Sequence, residues 1–268
     1  MKNKHLGPKI YKSTDKNSKG SILYFHGGGL FFGSKYDLPK YHIDKITEAG
    51  YNILSFNYPL APESKFPAII KDVIDNINLY TENINQPYFL WGRSAGAYLC
   101  LLSASKGLNI KPNGIISYYG YGILVPHWYS TPSLDYLKYP LVEKHEVERL
   151  IEKDIIVSSP VNPRFLIYLY SRQKGNWVDL IWDKSEKEFL EEYSLAKTDF
   201  TNYPPVFLAH NTKDNDVPYE ETIELSKRIN HFKLFTCTTE DHDFDRNIDD
   251  INTTDLIKET IEFLNRNI

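Results

Sequence analysis

Short apolar, β-branched and aromatic runs alternate along the 268-residue chain with segments of helical periodicity. Such alternation predicts a parallel sheet whose strands are joined by crossover helices. The runs are continuously apolar, as in strands that helices cover on both faces. Strands are predicted over residues 21–26, 51–58, 88–91, 114–119, 205–210 and 232–238. We therefore expect an α/β fold with a mainly parallel central sheet and helices on both faces.

Between the strands, helices are predicted over residues 37–49, 67–81, 95–106, 219–230 and 253–265. A block at about 121–200 falls where a single crossover helix would suffice. It carries its own helix signals, among them Asn162-Pro163 as N-cap and first helical residue and the capping-box pattern Ser185-x-x-Glu188. The block is too short to hold a good core alone and lacks long Pro/Gly linkers. We expect all 268 residues to form one domain with a helical cap insertion.

Composition narrows the classes of function. The formal net charge of −4, from 31 basic and 35 acidic side chains, is unlike the basic surface of a nucleic-acid binder. Cys100 and Cys237 cannot form a disulfide framework and lack metal-ligand spacing. No segment approaches the roughly 18 apolar residues of a membrane span, and the polar N-terminal segment lacks the core of a signal peptide. We expect a cytoplasmic protein without metal or other cofactor and without nucleic-acid or membrane partners, in an oligomeric state left open.

The strongest local signal is Gly92-Arg93-Ser94-Ala95-Gly96, which lies directly after a predicted strand and before a predicted helix. A sharp strand-to-helix turn would expose the serine hydroxyl at the carboxyl edge of the sheet, and the glycines would let neighbouring segments approach. This context favours a serine nucleophile. The alternative is a glycine-rich turn whose serine only caps the helix.

A second signal, His26-Gly27-Gly28-Gly29, ends the first predicted strand. Consecutive glycines expose backbone N–H groups, and an acyl-transfer enzyme needs such donors aimed at a developing oxyanion. Glycines would also serve a flexible turn between a strand and a helix. The position of the tract, one βα unit before Ser94, favours the oxyanion interpretation.

A serine hydroxyl needs a base to remove its proton, and a carboxylate to hold that base in one tautomer. Among the eight histidines, His242 stands in the loop after the last predicted strand, where open α/β sheets place active-site groups. The remaining histidines lie in the N-terminal segment, the insertion, the glycine tract or predicted elements: His5, His26, His42, His127, His145, His210 and His231. The alternative for His242 is a surface position in an acidic loop.

Asp214 and Asp216 both follow the fifth predicted strand, and either could supply the carboxylate. The resulting order of Ser94, aspartate and His242 is the chain order of α/β hydrolases, not that of the trypsin or subtilisin types. Either aspartate could instead form a turn, because Asp side chains hydrogen-bond to their own backbone in loops. Position alone leaves the choice between them open.

With the segment YPLAPE at 58–63, these motifs resemble the α/β-hydrolase serine esterases of the hormone-sensitive-lipase-like group. In that group an HGGG tract and an LAPE segment precede a G-D-S-A-G elbow. The resemblance implies Ser94 as nucleophile and His242 as base. It also implies an oxyanion hole formed by the N–H groups of Gly28, Gly29 and Ala95. Because the acid segment is similar to the H-G-x-x-D-x-x-V-P stretch of many α/β hydrolases, the resemblance implies Asp214 as the acid.

The chain departs from the group at the elbow, where Arg93 replaces the usual aspartate. The N-terminal extension that builds the group's cap is almost absent, so the lid must come mainly from residues 121–200. That block is rich in aromatic side chains, including Trp128, Tyr129, Tyr136, Tyr139, Phe165, Tyr168, Tyr170, Trp177, Trp182, Phe189 and Tyr193. Aromatic walls are typical of small-molecule pockets, although any single ring is more often core packing. We expect a closed, aromatic-lined pocket.

Together the residues and the resemblance predict a serine hydrolase that cleaves small carboxylic esters through an acyl-enzyme, without a cofactor. A preference for short acyl groups, of about two to four carbons, is implied by the family resemblance. A peptidase, amidase or thioesterase with the same residues is one alternative, because fold and site are shared across these reactions. A non-catalytic ligand-binding protein is another, but such proteins usually lack one of the three residues.

Overall fold

The computed structural model describes residues 7–124 and 128–268. Its strands are β1 (Lys9–Tyr11), β2 (Gly20–Phe25), β3 (Tyr51–Phe56), β4 (Tyr88–Arg93), β5 (Gly114–Tyr118), β6 (Val206–Asn211) and β7 (Phe232–Cys237). They form one sheet in the order β1-β3-β2-β4-β5-β6-β7. β1 pairs antiparallel with β3, and the other pairings are parallel. The predicted mainly parallel sheet is therefore confirmed, with a short antiparallel edge strand that was not predicted.

Helices follow the strands as the periodicity predicted. Their bounds are α1 (Lys40–Glu48), α2 (Phe66–Thr81), α3 (Ala95–Ser105), α4 (Lys144–Glu148), α5 (Val161–Lys174), α6 (Trp177–Ile181), α7 (Glu186–Tyr193), α8 (Tyr219–Ser226) and α9 (Ile251–Arg266). The helix expected over 37–49 begins at Lys40, because Pro39 disfavours a helical conformation of Leu38. The helix expected over 219–230 ends at Ser226.

The sheet lies between two apolar cores, which explains its continuous apolar strands. On β4, Leu90 packs into the core shared with α2, α3 and the insertion, whereas Trp91 packs into the core shared with α1 and α9. Every residue of β2, β4, β5 and β6 is buried. Successive side chains of a strand point to opposite faces, so burial on both sides requires an unbroken apolar run.

The insertion between β5 and β6 carries α4 to α7. The predicted capping box opens α7: Ser185 Oγ accepts from the Glu188 amide at 3.3 Å, and the Glu188 carboxylate accepts from the Ser185 amide at 3.1 Å. In α5, Asn162 has the non-helical angles φ −93° and ψ 129°. Regular helix therefore begins at Pro163, as the Asn162-Pro163 signal predicted. The short helix α6 was not predicted.

Arg164 of α5 ties the insertion to the loops that follow β2 and β3. Its guanidinium forms a bidentate pair with Glu63, at 2.7 and 2.8 Å. It also donates to the carbonyl oxygens of Phe31 at 2.7 Å and Ala61 at 2.6 Å. The side chains of Arg164 and Glu63 are only 5% and 1% exposed. The insertion is thus fixed to the sheet by a buried ion pair as well as by apolar packing.

Replacing Glu63 with glutamine should lower the free energy of unfolding by about 3 kcal/mol, because the buried Arg164 charge loses its counter-ion. Urea unfolding at neutral pH measures this difference. Asp75→Asn is the matched control, since Asp75 pairs with Lys71 at the surface, where an ion pair contributes about 1 kcal/mol or less. Equal effects of the two substitutions would contradict a structural role for the buried pair.

Candidate active site

Ser94 forms the turn between β4 and α3 with φ 52° and ψ −121°. A side chain in this left-handed region strains the backbone by about 1–3 kcal/mol. The amide of Ser94 donates to the Tyr118 carbonyl at 2.9 Å, which fixes the turn to β5. A Cβ at Gly92 would lie 2.2 Å from the Ala97 nitrogen, and one at Gly96 would lie 2.1 Å from the Phe25 oxygen. Only glycine allows these approaches.

The side chain of Ser94 makes no capping hydrogen bond to α3, so the helix-cap interpretation is wrong. Its hydroxyl instead lies 3.0 Å from Nε2 of His242. Nδ1 of the same imidazole lies 2.7 Å from Oδ2 of Asp214. With the proton on Nδ1, His242 donates to Asp214 and leaves Nε2 free to accept from Ser94. The structure therefore brings the three predicted residues into one hydrogen-bonded chain.

Asp214 is fixed from both sides of its carboxylate. Oδ1 accepts from the amides of Asp216 at 2.8 Å and Val217 at 3.0 Å. Oδ2 lies 3.1 Å from Nε2 of His210 in addition to its contact with His242. Burial raises the pKa of Asp214, but the two histidines lower it more strongly, and the net pKa lies well below the usual range. The group that faces His242 is therefore a carboxylate.

The imidazole of His242 lies in a negative field. Burial lowers its pKa, but the charge and hydrogen bond of Asp214 raise it, and the charges of Asp216 and Asp243 raise it further, to about 9. The ring also packs edge-to-face on Tyr119, with centroids 4.7 Å apart. These carboxylates favour the imidazolium that forms when Nε2 takes a proton.

The glycine tract passes beside Ser94, and Gly28 and Gly29 have φ of 102° and 60°. The Tyr58 hydroxyl donates to the His26 carbonyl at 2.8 Å, and the Trp177 indole donates to the Gly29 carbonyl at 3.0 Å. These bonds hold the carbonyl groups of the tract. Tyr58 begins the YPLAPE segment, so one role of that motif is to support the tract.

The amides of Gly28, Gly29 and Ala95 donate no hydrogen bond to protein acceptors within the described part of the chain. Ala95 directly follows Ser94 as the first residue of α3, and a helix N-terminus has no intrahelical acceptor for its first amides. Gly28 and Gly29 line the same cavity as Ser94. Two of the three predicted donors thus line the cavity that contains the serine, and the third belongs to the residue that follows the serine.

This cavity has a volume of about 390 Å³. Tyr136, Phe165 and Tyr168 from the insertion line it together with Phe32. Other rings of the insertion pack in the apolar core instead, namely Tyr129, Trp177, Trp182, Phe189 and Tyr193. The aromatic lining that we expected is therefore present, although only a minority of the predicted rings supply it.

Arg93, the residue that departs from the family pattern, lines this cavity and belongs to a buried cluster. Its Nη2 donates to Oδ1 of Asp245 at 2.7 Å, and the Tyr119 hydroxyl donates to the same oxygen at 2.8 Å. His42 Nε2 lies 2.8 Å from Asp245 Oδ2. Burial raises the pKa of Asp245, but Arg93 and His42 lower it more, to a net value well below the usual range. The cluster ties the elbow to the loop that carries His242.

Sequence reasoning identified neither Asp245 nor Arg164. Asp245 lies three residues after His242, and a basic residue inside the elbow was the available signal that a buried acid must compensate it. Three of the remaining histidines have structural contacts: His26 stacks on Tyr58 with centroids 4.2 Å apart, and His42 and His210 lie against Asp245 and Asp214. His5 and His127 lie outside the described residues.

Residues 7–124 and 128–268 contain no cluster of three or more His, Cys, Asp or Glu side chains suited to a metal ion. Over the same residues, no helix combines the length and apolarity needed to cross a membrane. Cys100 and Cys237 are both buried and unpaired with each other.

A family model described as the alpha/beta hydrolase fold matches residues 22–233. This chain belongs to the α/β-hydrolase family. Human hormone-sensitive lipase is 31% identical to this hydrolase over 120 residues, which cover 41% of this chain and 11% of the lipase. The chain thus matches only a small part of that relative, and the match confirms the resemblance to the hormone-sensitive-lipase-like group.

Solved structures show the same fold over nearly the whole hydrolase. A protein with unknown function from Staphylococcus aureus subsp. aureus Mu50 is 32% identical, with 97% of this chain and 93% of that chain covered and a TM-score of 0.87. An alpha/beta hydrolase superfamily protein from Enterococcus faecalis is 26% identical, with 95% and 93% covered and a TM-score of 0.79. The predicted fold class is therefore confirmed.

The two neighbouring aspartates should differ strongly on substitution. Asp214→Asn should lower kcat for p-nitrophenyl acetate by about 10⁴, because asparagine favours the wrong tautomer of His242. Asp216→Asn should cost far less, since Asp216 does not contact Nδ1. Thermal unfolding of both variants serves as the control for folding. If the two effects are reversed, the orienting carboxylate is Asp216.

Proposed function

We propose that this α/β hydrolase cleaves carboxylic esters of small substrates through an acyl-enzyme. The observation that carries the proposal is the hydrogen-bonded chain from Ser94 through His242 to Asp214, which lies at a cavity with unused backbone donors. A serine becomes a nucleophile when an oriented base takes its proton. The sequence similarity to hormone-sensitive lipase supports an ester as the bond that is cleaved.

In the first half-reaction, Ser94 Oγ attacks the ester carbonyl carbon while its proton passes to Nε2 of His242. The negative charge that develops on the carbonyl oxygen is stabilised by the amides of Gly28, Gly29 and Ala95. Fixed donors of this kind need no reorganisation as the charge forms. The tetrahedral intermediate then expels the alcohol, which takes the proton from Nε2, and the acyl group remains on Ser94.

In the second half-reaction, water attacks the acyl carbon and gives a proton to Nε2 of His242. The same amides stabilise the second oxyanion, and its collapse breaks the bond to Oγ of Ser94, which recovers the proton. Asp214 stays ionised in both halves, because its role is to orient and stabilise the imidazolium.

The size and the aromatic walls of the cavity support small acyl groups. Its volume of about 390 Å³ lies near the lower end of the range for ligand pockets, roughly 300–1,000 Å³. The aromatic side chains of Phe32, Tyr136, Phe165 and Tyr168 form apolar walls near Ser94. These walls suit an acyl chain of about two to four carbons better than a long lipid chain.

A fluorophosphonate should add one covalent label to the protein, at Ser94. Ser94→Ala should lose the label and lower kcat by about 10⁶, because no other group can carry the acyl intermediate. Intact-protein mass spectrometry and p-nitrophenyl acetate hydrolysis measure the two effects. A Ser94→Ala variant with activity within tenfold of wild type would contradict the assignment of Ser94 as the nucleophile. Parallel assays with aryl amides and thioesters decide whether those bonds are preferred over esters.

Activity should fall steeply with acyl length. The value of kcat/KM should be highest for p-nitrophenyl acetate or butyrate and much lower for octanoate and palmitate. Each methylene that the pocket refuses should change the barrier by roughly 1–3 kcal/mol. The assay compares the four esters at one detergent concentration below its critical micelle concentration, so that substrate aggregation does not imitate specificity. A maximum at octanoate or beyond would indicate an open lipid groove.

A further inference from the structure

Asp216 is a second carboxylate at the imidazole of His242, and the mechanism above gives it no role apart from its charge. It lies two residues after Asp214, is 6% exposed and lines the cavity. Its Oδ1 accepts from the Tyr168 hydroxyl at 2.6 Å and lies 3.2 Å from Nε of Arg172. Its Oδ2 lies 3.8 Å from Nε2 of His242. One oxygen is therefore held by α5, and the other faces the nitrogen that exchanges protons with Ser94.

A turn-forming role does not account for this side chain. The turn is closed by Asp214, whose Oδ1 accepts from the amides of Asp216 and Val217. The carboxylate of Asp216 extends away from that turn, towards α5 and the cavity. Burying a carboxylate costs free energy that a paired cation must offset, and Arg172 supplies the cation. Arg172 also donates to the Asp216 carbonyl at 2.9 Å, so tethering the loop does not by itself require the carboxylate.

We propose that Asp216 positions the water molecule that hydrolyses the acyl-enzyme, an inference that rests on the proposed esterase function. That water must donate one hydrogen to Nε2 of His242 while its oxygen attacks the acyl carbon on Ser94. A water oxygen about 2.8 Å from both Nε2 and Oδ2 of Asp216 fits across their separation. The second hydrogen of the water is then donated to Oδ2 of Asp216. These two hydrogen bonds direct a lone pair of the water oxygen at the acyl carbon.

The atoms balance without any change in the protonation of Asp216. The water oxygen bonds to the acyl carbon, and one water proton passes to Nε2 of His242. Collapse of the tetrahedral intermediate breaks the bond to Ser94 Oγ, which takes that proton. The second hydrogen stays on the new carboxylic acid and is only hydrogen-bonded to Oδ2. Asp216 is therefore a positioning residue.

This role belongs to one half-reaction only. During acylation the nucleophile is Ser94, which its own backbone holds beside His242, so Asp216 has nothing to position. During deacylation the nucleophile is a free molecule. An alcohol that replaces water carries a single hydroxyl hydrogen, which cannot be donated to both Nε2 and Oδ2. Asp216 should therefore favour hydrolysis of the acyl-enzyme over transfer of its acyl group to an alcohol.

The Asp216→Asn substitution distinguishes the roles of the two carboxylate oxygens. Tyr168 and Arg172 are both donors, so the amide oxygen of asparagine takes the place of Oδ1, and its NH₂ group takes the place of Oδ2. The acceptor that faces the cavity becomes a donor, while the contacts to α5 remain. Loss of the Asp216 charge at His242 should slow both steps slightly, because Asp214, which raises the pKa of His242 more, is unchanged. In stopped-flow experiments with p-nitrophenyl acetate, the deacylation rate should fall about tenfold more than the acylation rate, because a hydrogen bond to a charged acceptor is lost in that step only.

Product analysis in a fixed mixture of water and methanol gives a second readout. The ratio of methyl acetate to acetate should rise about tenfold in Asp216→Asn, because only the reaction with water loses its positioning bond. Tyr168→Phe is the matched control, since it removes a contact at Oδ1 and leaves Oδ2 in place. It should change both half-reactions by a similar factor and leave the product ratio near that of wild type.

Equal effects of Asp216→Asn on acylation and deacylation, or an unchanged product ratio, would overturn the inference while the esterase function stands. A wild-type protein that neither forms an acyl-enzyme nor hydrolyses esters would instead refute the proposed function itself. If Asp216→Asn does not fold, Asp216→Glu keeps the charge but displaces the oxygen. Selective slowing of deacylation in that variant supports the inference, and equal slowing of both steps overturns it.

Discussion

The left-handed backbone of Ser94 is the constraint on which the rest of the site depends. A turn this sharp exists only because α3 can approach β4 and β2 closely, and Gly92 and Gly96 leave no Cβ in the way. The same approach places the first amides of α3 beside the end of β2, where the glycine tract begins. The same close packing thus positions the proposed nucleophile and two of the proposed oxyanion donors, Gly28 and Gly29, and the surrounding sheet offsets the strain at Ser94.

Buried ion pairs then connect the loops at this edge of the sheet. Those pairs are Arg93–Asp245, Arg164–Glu63 and Arg172–Asp216. Each joins segments that are far apart in the chain, and each removes two charges from water. Because desolvation offsets most of the Coulomb attraction, the pairs add less to stability than their number suggests. The pairs mainly fix the positions of the segments that they join, because a buried charge is compensated only where its partner lies.

Sequence reasoning succeeded where a signal is local. The apolar runs gave the six parallel strands, and the strand–glycine–helix context of Ser94 indicated the elbow. It did not find β1, because three residues carry no periodicity, and it did not find Asp245, whose partner Arg93 lies 152 positions away. The choice of Asp214 over Asp216 came from family resemblance. Which carboxylate faces Nδ1 of His242 depends on the fold of the whole loop, and spacing does not encode it.

The insertion is part of the site and not merely a cover over it. Arg164, Tyr168 and Arg172 recur every four residues on α5, so they lie along one face of that helix. Arg164 binds the loop that follows the glycine tract, and Tyr168 packs so tightly on Gly29 that a Cβ there would lie 2.4 Å from its ring. Tyr168 and Arg172 both hold Asp216. Because a single helical face contacts both the glycine tract and the loop that carries Asp214 and Asp216, the residues that shape the pocket also fix the groups proposed to carry the chemistry.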